Sequence, residues 1–130
     1  MKKIILLLLA LCMIIPLASC TAKESAGTYE QITPAKAKEI MDSEEGYVIL
    51  DVRTEEEYAG GHIEGAILIP DYEIEAKAES MLTNKDQLIL VYCRSGRRSK
   101  LAADTLASLG YTNVKEFGGI IDWTYDTVAE

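Results

Sequence analysis

Apolar residues in this chain fall mainly into short unbroken runs separated by stretches of helical spacing. "YVILD" (Tyr47 to Asp51), "AILIP" (Ala66 to Pro70) and "LILVY" (Leu88 to Tyr92) lack the polar alternation of a half-exposed strand. Such runs predict strands covered on both faces. "VKEF" (Val114 to Phe117) predicts a fourth short strand, and "YEQIT" (Tyr29 to Thr33) a short edge strand. Between the runs, Thr33 and Pro34 supply an N-cap and first-turn pair for a helix over Pro34 to Asp42, in a region that Gly46 ends. Further helices are predicted over Thr54 to Gly60, Tyr72 to Leu82 and Ser99 to Gly110. The last places Ala102, Leu106 and Leu109 on one face and stops at its glycine. Strands alternating with helices predict an α/β fold: a central, mostly parallel sheet with helices on both faces. In such sheets ligands bind beyond the carboxyl ends of the strands.

The opening run is of another kind. Lys2 and Lys3 precede an apolar stretch from Ile4 to Ile15, then Pro16 and "LASC" at Leu17 to Cys20. It is shorter than the ~20 apolar residues a spanning helix needs, and its order of charge, apolar run and small residues predicts a secretion signal. "LASC" resembles the lipobox of bacterial lipoproteins. That resemblance implies removal of residues 1–19, lipid attachment at Cys20, and residues 20–28 as a polar tether to a domain over 29–130. Thr21, where the lipoprotein pattern places Asp for inner-membrane retention, implies the periplasmic face of an outer membrane or the outer face of a single cell membrane.

Charge narrows the partners. Thirteen Lys plus Arg against 21 Asp plus Glu give the 130-residue chain a net charge of -8, which argues against a nucleic-acid partner. Processing leaves little cysteine: Cys12 departs with the signal, Cys20 carries lipid, and Cys93 alone remains as a thiol, so no disulfide framework is expected. A single exported thiol is exposed to oxidation, which makes its surroundings decisive.

Those surroundings are "CRSGRRS", Cys93 to Ser99, lying between the "LILVY" strand and the helix predicted from Ser99. Arg94, Arg97, Arg98 and Lys100 form a basic island in an acidic chain. Gly96 permits a curl that turns successive backbone N–H groups inward, and together with the helix N-terminus these make an anion-binding concavity. Cations and a helix N-terminus bring a cysteine pKa down from ~8.5 to between ~3.5 and ~7.5. The segment therefore reads as a pocket for a thiolate and an anion, rather than a solvated basic turn around a structural cysteine.

"DVRTEEEYAGGHIEGAILIP" (Asp51 to Pro70), "LILVYCRSGRRSKLAADTLASLGY" (Leu88 to Tyr111) and "VKEFGGIIDW" (Val114 to Trp123) carry a specific likeness. With these blocks in order from about Tyr29 to Trp123, the chain resembles a single-domain rhodanese, a sulfurtransferase of the persulfide-forming type. The family's six-residue loop, Cys-Arg-x-Gly-x-Arg, falls on Cys93, Arg94, Ser95, Gly96, Arg97 and Arg98. The resemblance implies Cys93 as nucleophile, and a loop from Arg94 through Ser99 that holds the transferred sulfur. It also implies that Arg94 and Arg98 favour an anionic donor such as thiosulfate, with a thiol, protein or cyanide acceptor and no metal or organic cofactor. Phosphatases and arsenate reductases of this fold are the chemical rival; their Cys-x5-Arg ring would place arginine at position 99, where this chain has Ser99. A sulfur-carrier or redox-sensing module with little turnover is the alternative outside catalysis.

The remaining candidates read as scaffold. His62, the lone histidine, lies in "GGHIEGA", which the resemblance implies is a structural turn, and a loop that already polarises Cys93 requires no histidine base. One histidine and one usable cysteine do not make a zinc site. Asp51 ends a strand from which a carboxylate could reach the loop, while Arg53 and Glu57, at i and i+4, are expected to pair locally. Glu55 to Glu57 is expected to form a solvated helix face. Phe117 and Trp123 are expected in the core, and Gly118 and Gly119 in a tight turn.

Overall fold

The structure, a computed structural model, describes residues 28–130. The expected signal, the lipid site at Cys20 and nearly all of the tether lie outside the described residues.

Five strands form one sheet: β1 (Glu30–Gln31), β2 (Val48–Asp51), β3 (Ile67–Leu68), β4 (Ile89–Cys93) and β5 (Val114–Gly119). Their order is β1-β5-β4-β2-β3, and every pairing is parallel. The helices are α1 (Pro34–Ser43), α2 (Glu55–Ala59), α3 (Ile74–Met81) and α4 (Arg97–Ser108), with 3-10 turns at Asp71–Glu73 and Ile120–Asp122.

The unbroken apolar runs now have a physical reason. Alternate residues of one strand point to opposite faces, so each run feeds two cores at once. Leu50, Ile89, Val91 and Cys93 meet Ala102, Ala103 and Leu106 of α4 and Ile74 and Ala78 of α3 on one face. Ile49, Leu90 and Tyr92 meet Ala37 and Ile40 of α1, Phe117 and Trp123 on the other. Phe117 and Trp123 are core residues as expected, their ring centroids 5.6 Å apart. The cap on α1 is also as read: the Lys36 N–H donates to Thr33 Oγ1 at 3.1 Å.

Two boundaries differ from expectation where it matters. β4 runs through Cys93, and α4 begins at Arg97 rather than Ser99. Gly96 adopts a left-handed φ of 101° and caps the helix, and its carbonyl accepts the N–H of Lys100 at 3.2 Å. The chain thus reverses within Arg94 to Gly96, and Arg97 and Arg98 already belong to the first helical turn.

Candidate active site

Cys93 closes the most deeply buried strand of the sheet, and the cysteine itself is fully buried. Its Sγ accepts the Gly96 N–H at 3.0 Å and lies 3.3 Å from Ser99 Oγ. The site is therefore a strand end facing the N-terminus of a twelve-residue helix, with one backbone amide already aimed at sulfur. Unsatisfied N–H groups in that first turn place partial positive charge beside the thiol.

The loop is held from behind by β5. Between Val91 and Cys93 the β4–β5 register shifts, so that Cys93 pairs with Gly119. A Cβ at Gly119 would lie 1.9 Å from the Arg94 carbonyl oxygen and 2.5 Å from the Ser95 nitrogen. The loop backbone thus rests directly on this glycine. The Ile121 N–H then donates to Arg94 O at 3.2 Å. The glycine pair expected in a tight turn instead ends β5, beside the shift in register, and Gly119 is the seat of the cysteine loop.

The basic residues separate into two kinds. Arg94 and Arg97 are exposed, and neither joins an ion pair among the described residues, whereas Arg98 is engaged. Its Nη1 and Nη2 donate to Glu57 Oε1 and Oε2 at 2.7 and 3.0 Å. That bidentate contact brings the Glu57 carboxyl down to about 2 and raises the Arg98 guanidinium, to which the nearby Cys93 adds. Ser95 is exposed on the loop, while Ser99 is fully buried behind it.

The expected Arg53–Glu57 pair does not form. Arg53 precedes α2 instead of lying on it, so helical i,i+4 spacing does not apply. Its Nη2 donates to Asp51 Oδ2 and Gly61 O, both at 2.7 Å, and its backbone N–H donates to Asp51 Oδ1 at 2.9 Å. Asp51 is thereby taken up in a buried brace rather than turned to the cysteine loop. Tyr92 lies under this brace, with Arg53 5.6 Å from its ring centroid, and burial pushes its hydroxyl pKa up. His62 is structural as expected: its ring stacks on Tyr58 at 3.7 Å and its Nδ1 donates to Tyr58 O at 2.7 Å.

One residue of the site escaped the sequence reading. Glu116, 2% exposed, sits beneath the loop with Oε1 2.6 Å from Ser99 Oγ and 2.7 Å from the Gly118 N–H. A signal was present, because Glu116 lies two residues after Val114 and therefore on the face that α4 covers. Outside the loop, an open hollow of about 520 Å³ is lined by Arg94, Arg53, Glu57, Gly61, Ile121 and Tyr125 among others. It provides a mouth beside the loop with both charged and apolar walls.

Comparison with known proteins agrees with this architecture. The family model for the rhodanese-like domain matches residues 33–126. The chain is 38% identical over 107 residues to the putative sulfur carrier protein YrkF of Bacillus subtilis (strain 168), covering 82% of this chain and 57% of that protein. It therefore spans little more than half of that relative. It is also 38% identical over 73 residues to thiosulfate sulfurtransferase PspE of Escherichia coli (strain K12), covering 56% of this chain and 70% of that protein. A solved rhodanese with anions from E. coli matches with a TM-score of 0.61 at 34% identity, covering 65% of this chain and 99% of that one. By sequence across nearly all of the described residues, and by fold, this chain belongs to the rhodanese family, whose matched members include a protein named as a thiosulfate sulfurtransferase and one named as a putative sulfur carrier.

Proposed function

We propose that the chain is a sulfurtransferase that moves sulfane sulfur from thiosulfate or a related anionic donor to a thiol or cyanide acceptor through a persulfide on Cys93. The observation that carries this reading is the Gly96 N–H directed at Cys93 Sγ from 3.0 Å, at a helix N-terminus. That arrangement favours sulfur that is negatively charged, both as attacking thiolate and as leaving group.

In the first half-reaction the Cys93 thiolate attacks the outer sulfur of thiosulfate. The bond to the sulfonate sulfur breaks, sulfite leaves with its electron pair, and Cys93 keeps the outer sulfur as a persulfide anion. In the second, an acceptor thiolate or cyanide attacks that outer sulfur and the Cys93 thiolate departs. Neither step consumes a redox equivalent from outside, and the loop amides meet negative charge throughout. Arg94 is the cation proposed to meet the sulfonate of the donor, a role supported by its exposure on the loop, its place in the lining of the hollow and the lack of a carboxylate partner among the described residues. Arg98 contributes chiefly by orienting the first turn, since Glu57 already neutralises it. Phosphate chemistry is disfavoured, because position 99 carries a buried serine bonded to Glu116 in place of a ring-closing arginine.

A second reading, a carrier that receives sulfur from a protein partner and turns over small donors slowly, is supported by the name of the Bacillus relative. Sulfite release in steady state, measured with thiosulfate and a range of thiols, separates the two. Fast release that disappears in Cys93→Ser supports the enzyme; a single stoichiometric burst supports the carrier; no release from the wild-type protein contradicts the thiosulfate donor. The setting proposed for either role is the outside of a bacterial membrane, by way of lipid on Cys20.

A further inference from the structure

Ser99 has a conflict of proton partners that the sulfur chemistry alone does not explain. Its hydroxyl carries one hydrogen and can accept others. Around it stand the Cys93 Sγ at 3.3 Å, Glu116 Oε1 at 2.6 Å, and two carbonyls that only accept, Gly96 O at 3.1 Å and Gly118 O at 3.3 Å. With Cys93 as thiol and Glu116 ionised, every demand is met: S–H donates to Ser99, and Ser99 donates to Glu116. With both Cys93 and Glu116 ionised, two buried anions compete for one hydrogen. Burying unpaired charge of this kind is costly.

We propose that Glu116 is the proton acceptor for Cys93, acting through Ser99: as the thiolate forms, the thiol proton passes to Ser99 Oγ and the proton of Ser99 passes to Glu116 Oε1. The S–H bond breaks and a carboxylic O–H forms, with no net change of charge in the buried cluster. Ser99 then donates to the thiolate alongside the Gly96 N–H, and the protonated Glu116 donates to Ser99 while Oε1 still accepts the Gly118 N–H. In the second half-reaction the same proton arrangement stabilises Cys93 as it leaves the outer sulfur. Glu116 is a positioning residue here, since it reaches the reacting sulfur only through Ser99. The proposal rests on Cys93 being the nucleophile.

Other charges around the cluster do not replace this path. Arg98 faces Cys93 from α4 but is paired with Glu57, with Asp71 adding to its negative surroundings. Arg94 and Arg97 point their charge into solvent, as exposed residues do. Lys100 and Asp122 border the shallow hollow beside Glu116, and both are exposed. Among the described residues, the carboxylate of Glu116 thus has a hydroxyl and an amide as its bonded partners, and no cation.

Glu116→Gln distinguishes a relay from simple charge repulsion. The Gly118 N–H requires an acceptor at Oε1, so the glutamine oxygen occupies that place and takes the Ser99 hydrogen without being able to take a proton. The thiolate of Cys93, followed in the full-length protein by its ultraviolet absorbance against a Cys93→Ser reference, is then expected to fall about tenfold at about pH 6, one pKa unit. Ser99→Ala, which cuts the path and keeps the carboxylate, is expected to give the same loss. An unchanged or increased thiolate fraction in Glu116→Gln overturns the proposal, because removal of a mere repelling charge favours the thiolate. A wild-type measurement decides if the variants do not fold. The infrared band of a protonated carboxylic acid is expected at neutral pH in the wild-type protein and absent from Cys93→Ser, and its absence from both overturns the relay. These titrations require no sulfur transfer, so the relay and the sulfurtransferase reading fail separately.

Discussion

Two buried carboxylates near the carboxyl edge of the sheet, Asp51 and Glu116, are almost equally hidden from solvent at 0% and 2% exposure. Asp51 is locked to the guanidinium and the backbone N–H of Arg53, whereas Glu116 meets a serine hydroxyl and one amide. A carboxylate held by arginine from two sides contributes a brace. One whose partner is a hydroxyl that also touches a thiol can change its protonation when the thiol does. Equal burial therefore conceals opposite roles, and the partner decides which role each side chain takes.

Breaking the brace is expected to produce the largest effect on stability. Asp51→Ala leaves the Arg53 charge buried and unpaired, and a loss of about 3 to 5 kcal/mol in chemical denaturation is expected. The Cys93 titration of whatever folded protein remains should be unaltered. A loss confined to the titration would exchange the roles assigned to the two acids.

The seat of the loop comes next. Gly119→Ala drives a Cβ to within 1.9 Å of the Arg94 carbonyl, which displaces the loop that carries the Gly96 amide facing sulfur. Misplacing a catalytic group by about 1 Å costs on the order of 100-fold in rate, and sulfite release is expected to fall by that factor with a smaller loss of stability. Retention of full rate would show that the loop tolerates movement away from β5.

The smallest effect is expected at Glu57, whose pair with Arg98 is partly exposed, with side chains 29% accessible on each side. The folded carboxyl lies at about 2 against an ordinary 4.5. Its stabilisation is therefore present above about pH 4.5 and lost as pH falls towards 2. Glu57→Gln is expected to lower stability by about 1 kcal/mol or less at neutral pH, with the difference from wild type closing in acid. A gap that persists at about pH 2 would place the contribution of Glu57 somewhere other than its ion pair.

Much of the site was legible along the chain because the thiol, glycine and arginines of the loop are consecutive and the flanking strand and helix announce themselves by spacing. The cap at Thr33 and the core positions of Phe117 and Trp123 are local or periodic signals of the same sort. Glu57 and Arg98 meet across 41 positions, and Glu116 reaches Ser99 only through the parallel register that sets it opposite Val91. Such contacts depend on strand order, which spacing does not encode. The Arg53–Glu57 expectation failed for a smaller reason: α2 starts at Glu55, so the first partner was never on the helix. A two-residue difference in where α4 begins placed Arg97 and Arg98 in a loop when they occupy its first turn.

Whether Cys93 accepts sulfur is decided by the mass of the Cys93 peptide after thiosulfate treatment. A gain of one sulfur atom, about 32 Da, is expected on that peptide alone, with an equivalent of sulfite released and the gain reversed by an acceptor thiol. An unmodified Cys93 with no sulfite released would contradict it.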